Sequence, residues 1–143
     1  MKNISLLFCA TVLISTVSFA DDKKAPEKQV PAAAVAASVK DVTPQEAENI
    51  LKSQKDVVVL DVRTPDEFQS GHIAGAKNLD AQSDDFAEKL AGLDKSTTYL
   101  LHCAAGGRSS RVLKRMRGLD FKSIYHMPGG ISAWEEAGKP LKK

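Results

Sequence analysis

Cysteine is nearly absent: Cys9 and Cys103 are the only two in 143 residues. Two thiols cannot build a disulfide-dense scaffold. With only three histidines beside them, they cannot supply a cysteine-rich zinc site either. A surplus of one charge is also missing, since 20 Lys and Arg stand against 18 Asp and Glu. That balance excludes a protein that coats nucleic acid, which needs a large basic excess. The length leaves no room for two full domains. What remains is ordinary globular material, 43% hydrophobic and 27% charged, and wholesale disorder does not fit it.

The one long apolar run lies at the start. Residues 1–20 place Lys2 before an uncharged, mostly apolar stretch from Ile4 to Phe19, with small residues at Ser18 and Ala20 and two acids, Asp21 and Asp22, directly after. This is the pattern of a cleaved secretory signal peptide. A spanning helix takes roughly 20 predominantly apolar residues, and this stretch is shorter and interrupted by Ser and Thr. A lipoprotein cut before Cys9 is excluded by the bulk of Phe8. The expected product is exported, periplasmic in a double-membraned bacterium, and unattached to a membrane once the signal is removed. Cleavage would also remove Cys9, leaving Cys103 alone with no intramolecular partner. Residues 21–40 carry two prolines, an alanine-rich stretch and no large side chain beyond three valines. They are expected to form a flexible linker, with room for a short helix over residues 32–40. The folded domain is expected over residues 41–143.

Helix and strand signals alternate through that domain. Thr43-Pro44-Gln45-Glu46 and Thr64-Pro65-Asp66-Glu67 are capping boxes with proline at the first helical position. Residues 56–61 form a β-branched run suited to a strand covered on both faces, and residues 98–102 are a second such strand. Residues 76–79 and 123–126 are expected to be short strands. Phe86, Leu90 and Leu93 mark one further helix face, and Val112, Met116 and Leu119 mark another, with Arg111, Lys114, Arg115 and Arg117 turned to solvent. Residues 131–137 form a last helix, closed by Gly138 and Pro140. The predicted fold class is α/β, with a mostly parallel central sheet and helices on both faces. In such sheets ligands bind beyond the carboxyl ends of the strands.

At one of those ends stands His102-Cys103-Ala104-Ala105-Gly106-Gly107-Arg108-Ser109. A cysteine ends a buried strand, small residues let the backbone curl, and a helix begins. Inward-facing N–H groups and the helix N-terminus make an anion cradle around the sulfur and favour its thiolate. Arg108 adds a permanent charge suited to an oxyanion. A merely structural core cysteine would not need this loop.

Three patches together resemble the single-domain rhodanese-like sulfurtransferases. They are Asp61-Val62-Arg63-Thr64-Pro65-Asp66-Glu67-Phe68 with Gly71-His72-Ile73-Ala74-Gly75-Ala76 following, then the Cys103–Ser109 loop, then Met127-Pro128-Gly129-Gly130-Ile131-Ser132-Ala133-Trp134. Proline often stands where this chain has Ala74. The resemblance implies a catalytic Cys103 that takes sulfane sulfur from a small anionic donor such as thiosulfate. Cyanide, a thiol or a protein would then accept the sulfur from a Cys103 persulfide. Ala104, Ala105, Gly106, Gly107, Arg108 and Ser109 would bind the donor. No metal and no organic cofactor is implied.

Two other classes compete with this reading. A non-enzymatic persulfide carrier or anion-sensing module would use the same loop. A Cdc25-like phosphatase or an arsenate reductase would need a longer loop, five residues between Cys and Arg, against the four here, and there is no aspartic general acid beside it. Ala104 and Ala105 leave Arg108 as the loop's one cation. Arg63 and Glu67, four apart, are expected to pair with each other and brace the fold, with Asp61 hydrogen-bonded at its strand end. His102 should point away from the side on which Cys103 lies. His72 is expected to hydrogen-bond within its loop, His126 to be a strand-end residue, and Trp134 to pack in the core.

Overall fold

The computed structural model describes residues 37–143. The signal-peptide reading and most of the proposed linker therefore lie outside the described residues. The elements run β1 (Ser38–Asp41), α1 (Pro44–Ser53), β2 (Val58–Asp61), α2 (Pro65–Ser70), β3 (Lys77–Asn78), α3 (Phe86–Ala91), β4 (Thr98–His102), α4 (Gly107–Arg117), β5 (Ser123–His126) and α5 (Gly130–Glu136). Both expected capping boxes are present. The hydroxyls of Thr43 and Thr64 accept from the N–H groups of Glu46 and Glu67, and each glutamate accepts from its threonine's N–H. Each cap satisfies otherwise orphaned donors, worth about 1 kcal/mol.

All strand pairings are parallel, in the order β1-β5-β4-β2-β3. Alternating side chains of the central strands feed two cores. Leu60, Tyr99 and Leu101 meet Phe86, Leu90, Val112 and Met116 of α3 and α4 on one face. Val59 and Leu100 meet Ala47, Ile131 and Trp134 of α1 and α5 on the other. This is the expected α/β sheet with helices on both faces.

Strand β1 corrects two expectations. Ser38–Lys40, assigned to the linker and allowed a helical turn, are extended and pair in register with β5, Ser38 opposite Ser123 and Asp41 opposite His126. The segment has no strong strand propensity of its own. The free edge of β5 supplies the hydrogen-bond partners that decide its conformation.

The order of strands also places the site. From β2 the chain moves to β3 on one side, and from β4 it moves to β5 on the other. The carboxyl ends of β2 and β4, where Asp61 lies opposite His102, therefore flank the crevice at the topological switch point. Cys103 follows immediately.

Candidate active site

Cys103 continues the inward alternation of Tyr99 and Leu101, so its side chain packs with the α4 face of the sheet and is only 2% exposed. The loop after it turns through Gly106, whose φ of 91° is left-handed and which caps α4. A Cβ there would lie 2.1 Å from the Pro128 carbonyl oxygen, so only glycine fits. The Gly106 N–H donates to Cys103 Sγ at 3.1 Å. Burial pushes the Cys103 thiol pKa up. Hydrogen bonding from the Ser109 hydroxyl and from the backbone N–H groups of Ser109, Gly106 and Arg108 outweighs burial, and the net shift is down. The thiolate is thus solvated by the loop.

The third sequence patch braces this loop from behind. Ile131 N–H donates to Cys103 O at 2.8 Å and Ser132 N–H donates to Ala104 O at 3.1 Å. These bonds hold the Cys103 and Ala104 carbonyls on the side of α5. Gly130 has a φ of 60°, and a Cβ on it would lie 2.3 Å from Ala104 O. Gly130 is therefore the condition for close contact between α5 and the loop, while a Cβ on Gly129 would lie 2.5 Å from Ala133 Cβ in its own helix.

Of the six residues expected to bind substrate, Ala105 and Gly107 are exposed, Ala104 and Arg108 are half-buried, and Gly106 and Ser109 are buried. The Ser109 hydroxyl lies 3.0 Å from His126 Nε2 and donates to Gly106 O at 3.1 Å. Arg108 holds a bidentate pair with Glu67, Nη1 to Oε2 at 2.5 Å and Nη2 to Oε1 at 2.6 Å. The same glutamate oxygen accepts from the Thr64 N–H and hydroxyl. The second capping box thus fixes a carboxylate against the loop's only cation, and the Arg108 guanidinium is already paired.

This overturns the expected Arg63–Glu67 pair. Arg63 precedes α2, so helical spacing does not govern it. Its side chain turns back to Asp61, with Nη2 to Oδ2 at 2.7 Å, and also donates to Gly71 O at 2.7 Å. Both partners are buried beneath the site. Asp61 is hydrogen-bonded at its strand end as expected.

His102 points to the opposite side from Cys103. It is buried with Nδ1 3.2 Å from Cys103 O, and its Nε2 has no hydrogen-bond partner among the described residues. Burial lowers its pKa, which suits a neutral structural imidazole. His72 bonds Phe68 O and Trp134 is buried with its N–H on Pro140 O, both as expected. Among the described residues no group of His, Cys, Asp and Glu could hold a metal ion. Beside the loop, Arg108, Arg111 and Arg115 line a recess of about 140 Å³ with Ala81, Gln82 and Phe86.

A cysteine at the switch point of a parallel sheet, in a loop of donors braced by a double-glycine turn, defines a class. The Rhodanese-like domain family model matches residues 43–137, and the chain belongs to that family. It is 34% identical over 108 residues to the probable adenylyltransferase/sulfurtransferase MoeZ of Mycobacterium tuberculosis, covering 76% of this chain but only 28% of that protein. It is 32% identical over 97 residues to the thiosulfate sulfurtransferase GlpE of Coxiella burnetii, covering 67% of this chain and 87% of that one. The crystal structure of a rhodanese-like domain protein from Staphylococcus aureus superimposes with a TM-score of 0.61 at 31% identity, covering 73% of this chain and 99% of that one.

The Glu67–Arg108 pair carries a pH signature. Hydrogen bonding from Arg108 holds the Glu67 carboxyl down at about 2, from its ordinary 4.5. A depressed carboxyl pKa stabilises the fold fully above the unfolded value and loses that contribution as pH falls through the folded one. In urea unfolding, the advantage of the native chain over Glu67→Gln should be constant above pH about 4.5 and should shrink as pH approaches about 2. A difference that does not change over that window contradicts the pairing.

Proposed function

We propose that this chain is a rhodanese-type sulfurtransferase in which Cys103 carries the sulfur. The observation that carries the reading is the set of N–H donors around a buried sulfur, which lowers its pKa in spite of burial. Names of relatives such as thiosulfate sulfurtransferase GlpE support it. The Cys103 thiolate attacks the outer sulfur of a donor such as thiosulfate. A new S–S bond forms, the donor's S–S bond breaks, and sulfite leaves with the electron pair. The persulfide's terminal sulfur carries the negative charge, and the loop from Ala104 to Ser109 holds it with backbone donors as it held the thiolate. An acceptor, cyanide, a thiol or a protein, attacks that sulfur, and the Cys103 thiolate returns. Neither step changes the net charge or requires an outside oxidant.

Loop size separates this reading from a phosphatase or an arsenate reductase, because four residues between Cys103 and Arg108 make a tighter ring than a tetrahedral oxyanion requires. The carrier reading draws on a different observation. Arg108 is neutralised by Glu67, so a departing sulfite meets backbone donors but no free loop cation. Arg111 and Arg115, in the adjoining recess, have no carboxylate partner among the described residues and supply positive potential to draw in an anion.

With thiosulfate and cyanide, the native chain should produce thiocyanate in steady state and Cys103→Ala should lose it entirely. Turnover that survives the substitution contradicts the mechanism, and hydrolysis of an aryl phosphate in its place would favour the phosphatase. We also propose that the protein is exported, on the strength of residues 1–20. The mature protein's N-terminus should then be Asp21, and a cellular protein that retains Met1 contradicts export.

A further inference from the structure

Arg108, Arg111, Val112 and Arg115 recur at three- and four-residue intervals along α4 and so form one stripe of that helix. At a helical rise of about 1.5 Å per residue, the stripe leads roughly 10 Å away from the Cys103 loop. With Ala81 and Phe86 it lines the recess of about 140 Å³ beside that loop. Phe86 and Val112 belong to the same buried cluster as Cys103, so the recess abuts the packing around the sulfur.

The three arginines differ in what they hold. Arg108 is bound to Glu67 through both terminal nitrogens. Arg111 and Arg115 are exposed, and neither has a carboxylate within ion-pair distance among the described residues. Asp85, next to Phe86, is taken by Lys89 at 2.7 Å. The Arg115 guanidinium lies over the Phe86 ring, 5.7 Å from its centroid. That attraction needs no hydrogen bond, so it steadies the side chain and keeps its N–H donors for another partner. Two guanidinium groups with open donors beside apolar Ala81, Phe86 and Val112 match a carboxylate joined to a short hydrocarbon chain. The volume is below the roughly 300–1,000 Å³ of a drug-sized pocket, so the ligand is small. Cyanide, or a thiol without a charged group, would leave these donors unused.

We propose that Arg111 and Arg115 form a carboxylate subsite, and that it selects as sulfur acceptor a small organic thiol with a carboxylate at the end of a short apolar chain. The proposal rests on the reading of Cys103 as the sulfur carrier and names the acceptor class for it. The carboxylate lies on the two guanidinium groups, the methylene chain lies against Phe86 and Val112, and the thiolate reaches back past Arg108 to the loop. There it attacks the terminal sulfur of the Cys103 persulfide. A new S–S bond forms to the acceptor, the S–S bond at Cys103 breaks, and its electron pair stays on Cys103 as the thiolate. The acceptor departs as its own persulfide anion, and no oxidant or reductant is consumed.

The test separates transfer from binding. The full chain is loaded with sulfur from thiosulfate, freed of the donor, and mixed with mercaptohexanoate or with mercaptohexanol. Both carry a terminal thiol, and they differ in the charge at the far end. Loss of persulfide from the Cys103 peptide should be about tenfold faster with the carboxylate at equal, low concentrations. Arg111→Gln and Arg115→Gln should each cut that preference severalfold, and the double variant should bring the ratio of rates close to one. Arg111→Lys, which keeps the charge but not the planar fork, should give an intermediate ratio. A general loss of reactivity slows both thiols and leaves the ratio in place. Hexanoate, which has no thiol, should bind the unloaded chain, read from the amide resonances of α4, and the double variant should lose that binding. Equal rates with the two thiols, or a preference that survives the double variant, overturn the subsite and leave sulfur transfer standing. A chain that takes up no sulfur overturns the sulfur-transfer reading, and hexanoate then decides the subsite by itself. Binding lost in the double variant upholds it; binding indifferent to both arginines, or no binding, overturns it.

Discussion

A sulfur that must carry negative charge while almost wholly shielded from water has to be solvated by the protein. This one demand organises the domain. Burial alone would keep Cys103 protonated and inert, as it does most core cysteines. The donors that reverse this come from the backbone of Gly106, Arg108 and Ser109 and from one hydroxyl, all within a single turn at the start of α4. A loop so tight is not stable unaided. Its carbonyls are bonded by Ile131 and Ser132, its shape requires glycine at 106 against Pro128, and the approach of α5 requires glycine at 130. The parallel sheet serves the same end, since β2 and β4 diverge in their connections where the loop begins.

The charges around the sulfur follow a similar economy. Asp61 and Arg63 are buried as a pair, bound to each other and to the backbone, and they fix the end of β2. Glu67 and Arg108 tie α2 to α4 across the site. Arg108, read from the sequence as the free cation of the loop, is therefore a tether first. The field at the sulfur comes chiefly from oriented N–H groups, and the guanidinium groups of Arg111 and Arg115, which have no carboxylate partner among the described residues, lie one and two turns further along α4.

Much of this was legible in the residues. The two threonine-proline capping boxes, the β-branched run over residues 56–61 and the loop at Cys103 each announce themselves locally, through turn chemistry and side-chain period, and the structure agrees with them except that the strand begins only at Val58. What was illegible depended on distant parts of the chain. Ser38–Asp41 is a strand only because β5 offers an open edge. The Glu67 partner lies 41 residues away, so the four-residue spacing to Arg63 misled. His126 looked like a strand end because its neighbours, Asp41 and Ser109, are brought to it by the register of β1 and the docking of α4. A histidine following a tyrosine in a short strand carries no local sign of that arrangement.

The central claim is that Cys103 itself takes up one sulfur atom and holds it within the loop. The most direct test is the mass of the reduced protein after brief exposure to thiosulfate, with the modified peptide identified. A gain of about 32 Da, one sulfur, on the Cys103 peptide and reversed by cyanide is the expected result. An unmodified Cys103 peptide, or a gain that cyanide does not remove, would contradict the account.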